Sequence, residues 1–342
     1  MISSSRRFLQ ARRWAPWVLG VLLLGSFVGG IVLGPVSIPV SEALGALLGG
    51  STESASPMVR LIVTQIRVPR VLLGLLVGCA LAVSGTAMQG LFRNPLASPY
   101  VLGIASGAST GAALTIFLGA DSALVLPLAA FAGGGTAVAV VYALARGRDR
   151  RTSVFTLILA GVAVGAFFSA VTSLLVFLSS GGERLTDVLF WIMGGLGRAN
   201  WSSVSILTPI VAVGAAVAGL LSRDLNALAF GEEGAFHLGV NPETLARLLL
   251  VVTTILTSAA VAMAGTIGFI GLVVPHIMRL IFGSDHRVLV PVSAVAGACF
   301  LVWSDIAARM IAAPTELPVG IVTAFLGAPF FLYLLKTRGA RL

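Results

Sequence analysis

Ten apolar runs, each about long enough to cross a bilayer, constrain this 342-residue chain more than any other feature. A spanning helix needs about 20 apolar residues. Runs of that order lie near 15–34, 64–87, 98–118, 124–145, 153–179, 203–221, 244–263, 266–282, 288–312 and 317–335. Backbone amides find no water in hydrocarbon, so such segments must be helical. The expected fold is therefore all-α, a polytopic membrane protein with ten transmembrane helices. Composition agrees, with 57% of residues hydrophobic and 10% charged, against about a quarter charged in a soluble domain. The eighth run is the least regular, because Gly265, Gly268, Gly271 and Pro275 punctuate it, and a broken helix is one reading.

A net charge of +9 would point to nucleic acid in a soluble protein; in a membrane protein the placement of the charges matters more. With the N-terminus inside, the inner segments hold Arg6, Arg7, Arg12, Arg13, Arg93, Arg146, Arg148, Arg150, Arg151, Arg223, Arg247, Arg279, Arg287, Lys336, Arg338 and Arg341. The outer ones hold Arg60, Arg67, Arg70, Arg184, Arg198 and Arg309. This split of 16 against 6 orients the chain and supports an even number of crossings. Both termini and residues 222–243 then face the cytoplasm. The opening Ser-Ser-Arg-Arg-Phe-Leu resembles a twin-arginine export signal, but the run behind it is long enough to span and no clean cleavage site follows. Cys79 and Cys299 lie apart inside apolar runs and read as small buried residues, with neither a disulfide nor a metal site indicated.

Residues 222–243 interrupt the apolar pattern with Asp224, Asn226, Glu232, Glu233 and His237. Asp224 reads as the N-cap of a short helix to about Phe230, ended by Gly231. A second short helix, Glu232 to Leu238, stops at Gly239. Asn241 and Pro242 read as N-cap and first-turn proline of the next long helix, with Glu243 where a helix N-terminus favours an anion. Leu225, Leu228, Phe230, Phe236 and Leu238 need something to bury against. Either a soluble partner docks there, or the segment is an interhelical loop packed on its own protein.

Elsewhere, prolines and serines suggest irregular structure over 34–64, and no outer segment is long enough to fold as a substrate-binding domain. Residues 1–342 are thus one transmembrane domain, and any outer capture of solute falls to another protein. Arg67 and Arg70 sit at the outer boundary, as snorkelling anchors or as a basic patch for an acidic partner. Arg93 to Pro99 forms an inner turn. Gly103, Gly107 and Gly111 then give a smooth helical face for close packing, although Ser106, Ser109 and Thr110 offer a polar path. Residues 146–151 are an inner anchor, and the loop after the fifth run holds Glu183, Arg184, Asp187 and Trp191. A shift of 180 residues places Arg67, Gly85, Thr86 and Pro95 on Arg247, Gly265, Thr266 and Pro275, an inverted-repeat-like match that favours a transporter over a receptor or membrane enzyme. Asp305 and Arg309 stand one turn apart and suit an internal ion pair.

Several chemistries lack their residues. The only lysine is Lys336, so the chain carries no P-loop and no ATP hydrolysis of its own. His237, His276 and His286 have no ligand cluster beside them, and no catalytic constellation of carboxylates, Ser-His-Asp or Cys-His is present. Asp305 is the one acid well inside a span, which counts against the rival class, an ion-coupled secondary transporter.

Over nearly its whole length the chain resembles the FecCD family of permease subunits of ABC importers for ferric siderophores, haem and cobalamin. The matching stretches are Ile66–Arg70, Gly85–Gln89 with Arg93–Pro99, Leu102–Ala108, Leu225–Gly239, Ala264–Arg279, Asp285–Arg287, and Glu316–Gly320 through Gly327-Ala-Pro-Phe-Phe. The resemblance implies a homodimer with the pathway at its interface, in a bacterial cytoplasmic membrane. It also implies a cytoplasmic ABC ATPase dimer, which holds the ATP and magnesium, and a soluble periplasmic or lipid-anchored substrate-binding protein outside. No cofactor is expected in this chain and no nucleic-acid partner. By position Leu225, Asn226, Leu228, Phe230, Gly231, Glu232, Ala235, Leu238 and Gly239 match coupling helices that sit in the ATPase. Arg67, Arg70 and Arg309 match arginines that meet acids of the binding protein, and Asn94 and Leu96 match a cytoplasmic gate. A second gate segment falls near 152–156, where Val154 and Phe155 replace the small hydroxyl residues of cobalamin members. Arg93 stands where those members carry glutamate, and Ser98-Pro-Tyr100 where haem importers carry Asp-Pro-Gly. These differences favour a ferric siderophore over haem or cobalamin.

Overall fold

A computed structural model describes residues 2–48, 56–120, 122–146, 153–179 and 182–338. Arg148, Arg150, Arg151, Thr152 and Arg341 lie outside the described residues. Most of each apolar run is helical. In order come α1 (Ile2–Val32), α2 (Val40–Leu48), α3 (Pro57–Leu61), a π turn (Ile62–Arg67), α4 (Val68–Leu91), a 3-10 turn (Pro99–Leu102), α5 (Ile104–Phe117), α6 (Val125–Ala145) and α7 (Val154–Leu178). Then follow α8 (Glu183–Met193), α9 (Trp201–Leu220), α10 (Ser222–Leu228), α11 (Glu232–His237), α12 (Pro242–Ala264), α13 (Ile270–Phe282), α14 (His286–Ile311) and α15 (Val319–Arg338). Among the described residues six helices are long and apolar enough to cross a membrane: α3 through α4 as one 35-residue rod, α6, α7, α9, α12 and α14. Four more are apolar but shorter, Trp17–Val32, Ile104–Phe117, Ile270–Phe282 and Val319–Tyr333.

Local chemistry explains where elements depart from expectation. The second rod starts at Pro57, not near 64, because the Ser56 hydroxyl accepts the Val59 amide at 3.2 Å and proline fits the first turn. The stretch expected to be irregular holds α2 as well. Residues 183–193, read as loop, form α8, whose Val188 and Trp191 are buried on one face while Asp187 reaches Arg198. The eighth run is broken: 265–269 is non-helical, Phe269 takes a left-handed φ of 67°, and α13 begins only at Ile270. Irregular backbone at that depth has to find partners inside the protein. Tyr100 Oη donates to the Ile267 carbonyl at 2.8 Å, and the Thr266 hydroxyl donates to the Ile192 carbonyl.

Helix α4 is the axis of the bundle. Its most apolar stretch is 78% buried, whereas that of α7 is 17% buried and lies at the periphery. It packs antiparallel to α14, as the contacts Arg70–Asp305, Gly78–Gly297 and Gly90–His286 show by running in opposite directions along the two helices. Close approach depends on missing side chains: a Cβ at Gly85 would strike the backbone carbonyl of Gly271 in α13. Gly85→Ala is therefore expected to force α4 and α13 apart at a cost of about 1–3 kcal/mol, read as a lower melting temperature of the purified chain. The 180-residue shift pairs Gly85, deep in α4, with Gly265, which caps α12 at φ +68°, so the paired glycines serve different ends.

Candidate functional site

Since α4 has 24 residues, its ends are about 36 Å apart, and the residues singled out in the sequence gather at those two ends. At one end sit α10 and α11. Helix α10 follows α9 almost directly, so Asp224 lies in its first turn and is not its cap; Leu221 takes that place. The other punctuation is as expected: Gly231 and Gly239 adopt φ of 94° and 85°, and the Asn241 side chain accepts the Thr244 amide at 3.1 Å.

The pair has two faces. Leu225 (0% exposed), Leu228 (3%) and Ala235 (0%) turn inward and join a cluster with Met88, Leu157 and Leu249. Phe230 (77%), Phe236 (67%) and Leu238 (63%) turn outward, with Glu232 exposed beside them. Polar bonds fix the pair to α14. The Asn226 amide donates to Asp285 Oδ1 at 2.8 Å, and Asn226 Oδ1 accepts the His286 backbone amide at 2.9 Å and lies 2.8 Å from His286 Nδ1. Asp285 in turn caps α14 and pairs with Arg287 at 2.8 Å. The bonds from Arg287 and Asn226 hold the Asp285 carboxyl well below the usual carboxylate range.

Helix α4 closes this arrangement, because Gly90 is pinched between Leu225 and the His286 ring: a Cβ there would lie 2.8 and 2.7 Å from them. One residue on, at Leu91, α4 ends and the turn with Asn94 and Leu96 follows, bent by Arg93 at φ 48° and tied by the Leu96 amide to Asn94 Oδ1 at 2.9 Å. Asn94 is exposed and Leu96 half-buried. A cleft of about 480 Å³ brings Arg93, Val154 and Leu157 together with Glu232 and Phe236, so the turn, the start of α7 and α11 share one opening. Helix α10 thus touches both the start of α14 and the end of α4. Asn226→Ala would leave Asp285 and the His286 amide short of partners at about 1–3 kcal/mol; faster amide exchange across α10 and the first turn of α14 is the expected readout.

At the opposite end Arg67, Arg70 and Arg309 are all buried. Arg67 donates to the carbonyls of Ile31 (2.6 Å) and Val32 (3.0 Å), which the end of α1 leaves open, and to that of Val36 in the chain beyond. Arg70 holds Asp305 at 2.9 Å and Glu316 at 2.9 Å. The Arg309–Asp305 pair forms at 3.0 Å, one turn apart on α14 as the sequence suggested. Asp285, His286 and Glu316 join these sites without being singled out by the sequence, although each lies within a stretch quoted for the family resemblance; their long-range partners have no local signature.

A bundle of apolar helices, with a pinned amphipathic helix pair at one end and a buried ionic cluster at the other, is the build of a membrane permease. The chain belongs to the FecCD transport family, whose pattern it matches over residues 22–337, and it is an ABC importer permease of that family. It is 48% identical to the cobalamin import system permease protein BtuC of Halobacterium salinarum over 82% of this chain and 75% of that protein. It is 44% identical to the hemin transport system permease protein HmuU of Yersinia pestis, over 79% and 82% of the two chains. Among solved structures, a chain described as an inward-facing conformation of a metal-chelate type ABC transporter superposes with a TM-score of 0.83 at 32% identity, covering 94% of this chain and 98% of that one.

Proposed function

We propose that two copies of this chain form the pathway of an ATP-driven importer for a ferric siderophore, in a bacterial cytoplasmic membrane. The six long and four shorter apolar helices make ten crossings, and both termini and α10–α11 lie in the cytoplasm. The residues in 222–243 dock an ABC ATPase dimer, which binds ATP and magnesium. Arg67, Arg70 and Arg309 serve the docking of a substrate-binding protein outside. Asn94 and Leu96, with the start of α7, close the inner end of the pathway.

The observation that carries the reading is the helix pair. A segment that exposes Phe230, Phe236 and Leu238 while bonded to α14 and wedged on Gly90 suits a lever for a soluble motor. ATP binding has to favour one arrangement of the helices over another, and a docked pair supplies that difference. The inner end of the pathway lies beside it.

The siderophore reading rests on Arg93, Ser98 and Tyr100. A second reading, cobalamin, is favoured by the likeness to the halobacterial permease. Vesicles holding this chain, its ATPase and its binding protein, offered ferric siderophore, haem and cobalamin in turn, test both. ATP-driven accumulation of the siderophore alone is expected. Uptake of cobalamin instead overturns the substrate, and uptake that follows a proton or sodium gradient without ATPase overturns the class.

A further inference from the structure

At the Arg70 end three buried guanidiniums face two carboxylates. Asp305 is sealed and serves two of them, Arg70 and Arg309. Arg67 and Arg309 also approach one another, since a Cβ on Gly34 would lie 3.1 Å from Arg67 Nη2 and 3.4 Å from Arg309 Nη1. Like charges so placed repel, and the cluster keeps one positive charge in excess. Glu316 differs from Asp305 in kind. It belongs to the connection between α14 and α15, its side chain is 43% exposed, and both its oxygens reach the single nitrogen Arg70 Nη1, at 3.0 and 2.9 Å. Arg70 itself is only 10% exposed, so a carboxylate presented by a docked surface reaches it along the edge that Glu316 holds, and the two compete for that edge.

We propose that Glu316 is a placeholder: in the free chain it occupies the edge of Arg70 that an acidic lobe of the substrate-binding protein takes on docking. The inference rests on the reading above that such a protein docks at this end. The excess positive charge selects an acidic partner, and self-pairing through Glu316 keeps weaker anions off Arg70 until that partner arrives. Exchange releases the Glu316 side chain alone, since the Leu317 amide keeps its bond to the Ala308 carbonyl at 3.1 Å.

The test uses the complete complex with its ATPase in lipid nanodiscs and, as probe, the binding protein that supports uptake in the vesicle assay. Glu316→Gln removes the competitor and is expected to tighten docking by about tenfold, with the gain shrinking as salt rises. Glu316→Asp keeps the charge but shortens its reach, and is expected to move the affinity the same way by less; it decides the matter if the glutamine variant fails to fold. Unchanged or weakened docking in the variant that folds overturns the placeholder. Failure of the parent complex to bind the protein at all overturns the docking reading itself.

Discussion

Replacing Asp305 by alanine is expected to lower the melting temperature of the purified chain more than any other single change in the ionic cluster. Its carboxylate accepts from Arg70 Nε at 3.1 Å and Nη2 at 2.9 Å, and is ion-paired with Arg309 Nε at 3.0 Å. Without it Arg309 keeps its bond to the Gly30 carbonyl at 3.2 Å and a long one to the residue 305 carbonyl at 3.4 Å, while Arg70 keeps only exposed Glu316. Two buried cations lose their shared counter-ion, and breaking a buried pair from one side costs about 3–5 kcal/mol. Scaled to the unfolding entropy of a chain this size, that is a fall of roughly 4–7 °C, measured by thermal unfolding in detergent. An unchanged melting temperature would mean that water already solvates the arginines and that the cluster is not sealed.

The same cluster marks the boundary of what a sequence discloses. The Asp305–Arg309 pair was legible because one helical turn separates them, and helical periodicity is written locally. That Arg70 completes it was not, because the two stand 235 positions apart in sequence and only packing of α4 on α14 brings the groups together. The long spans were legible for the reason that bilayer thickness sets their length. Helix α8 was missed because Arg184 and Asp187 spoil its mean hydropathy, although Val188 and Trp191 recur at helical spacing and are buried. Asp224 misled in a different way: an acid in a helix's first turn and an acid that caps it look alike until the residues before them are known to be helical. In α10–α11 the apolar set was legible and its division was not, since Leu225 and Leu228 face inward and Phe230 outward only by the way the pair sits on Gly90.

That division decides how the proposed ATPase contact has to be tested. Changing Phe230 and Phe236 together to aspartate is expected to abolish co-purification of the ATPase while leaving the permease folded. Both rings are largely exposed, 77% and 67%, so exchanging them leaves the chain's own core intact, and such surface changes usually shift stability by no more than about 0.5 kcal/mol. At a docked interface, by contrast, an aromatic anchor is worth about 2–4 kcal/mol. Two of them amount to a loss of roughly a thousandfold in affinity or more, enough to empty the complex during purification. ATP-dependent uptake disappears with it. Leu228→Asp makes a poor substitute: with 3% exposure beside Leu225 the new charge enters the chain's own core, and failure of α10 to form would itself remove the ATPase. Retention of the ATPase by the phenylalanine double variant, at the parent's stoichiometry, would place the motor's contact elsewhere and leave α10–α11 as a strut between α4 and α14.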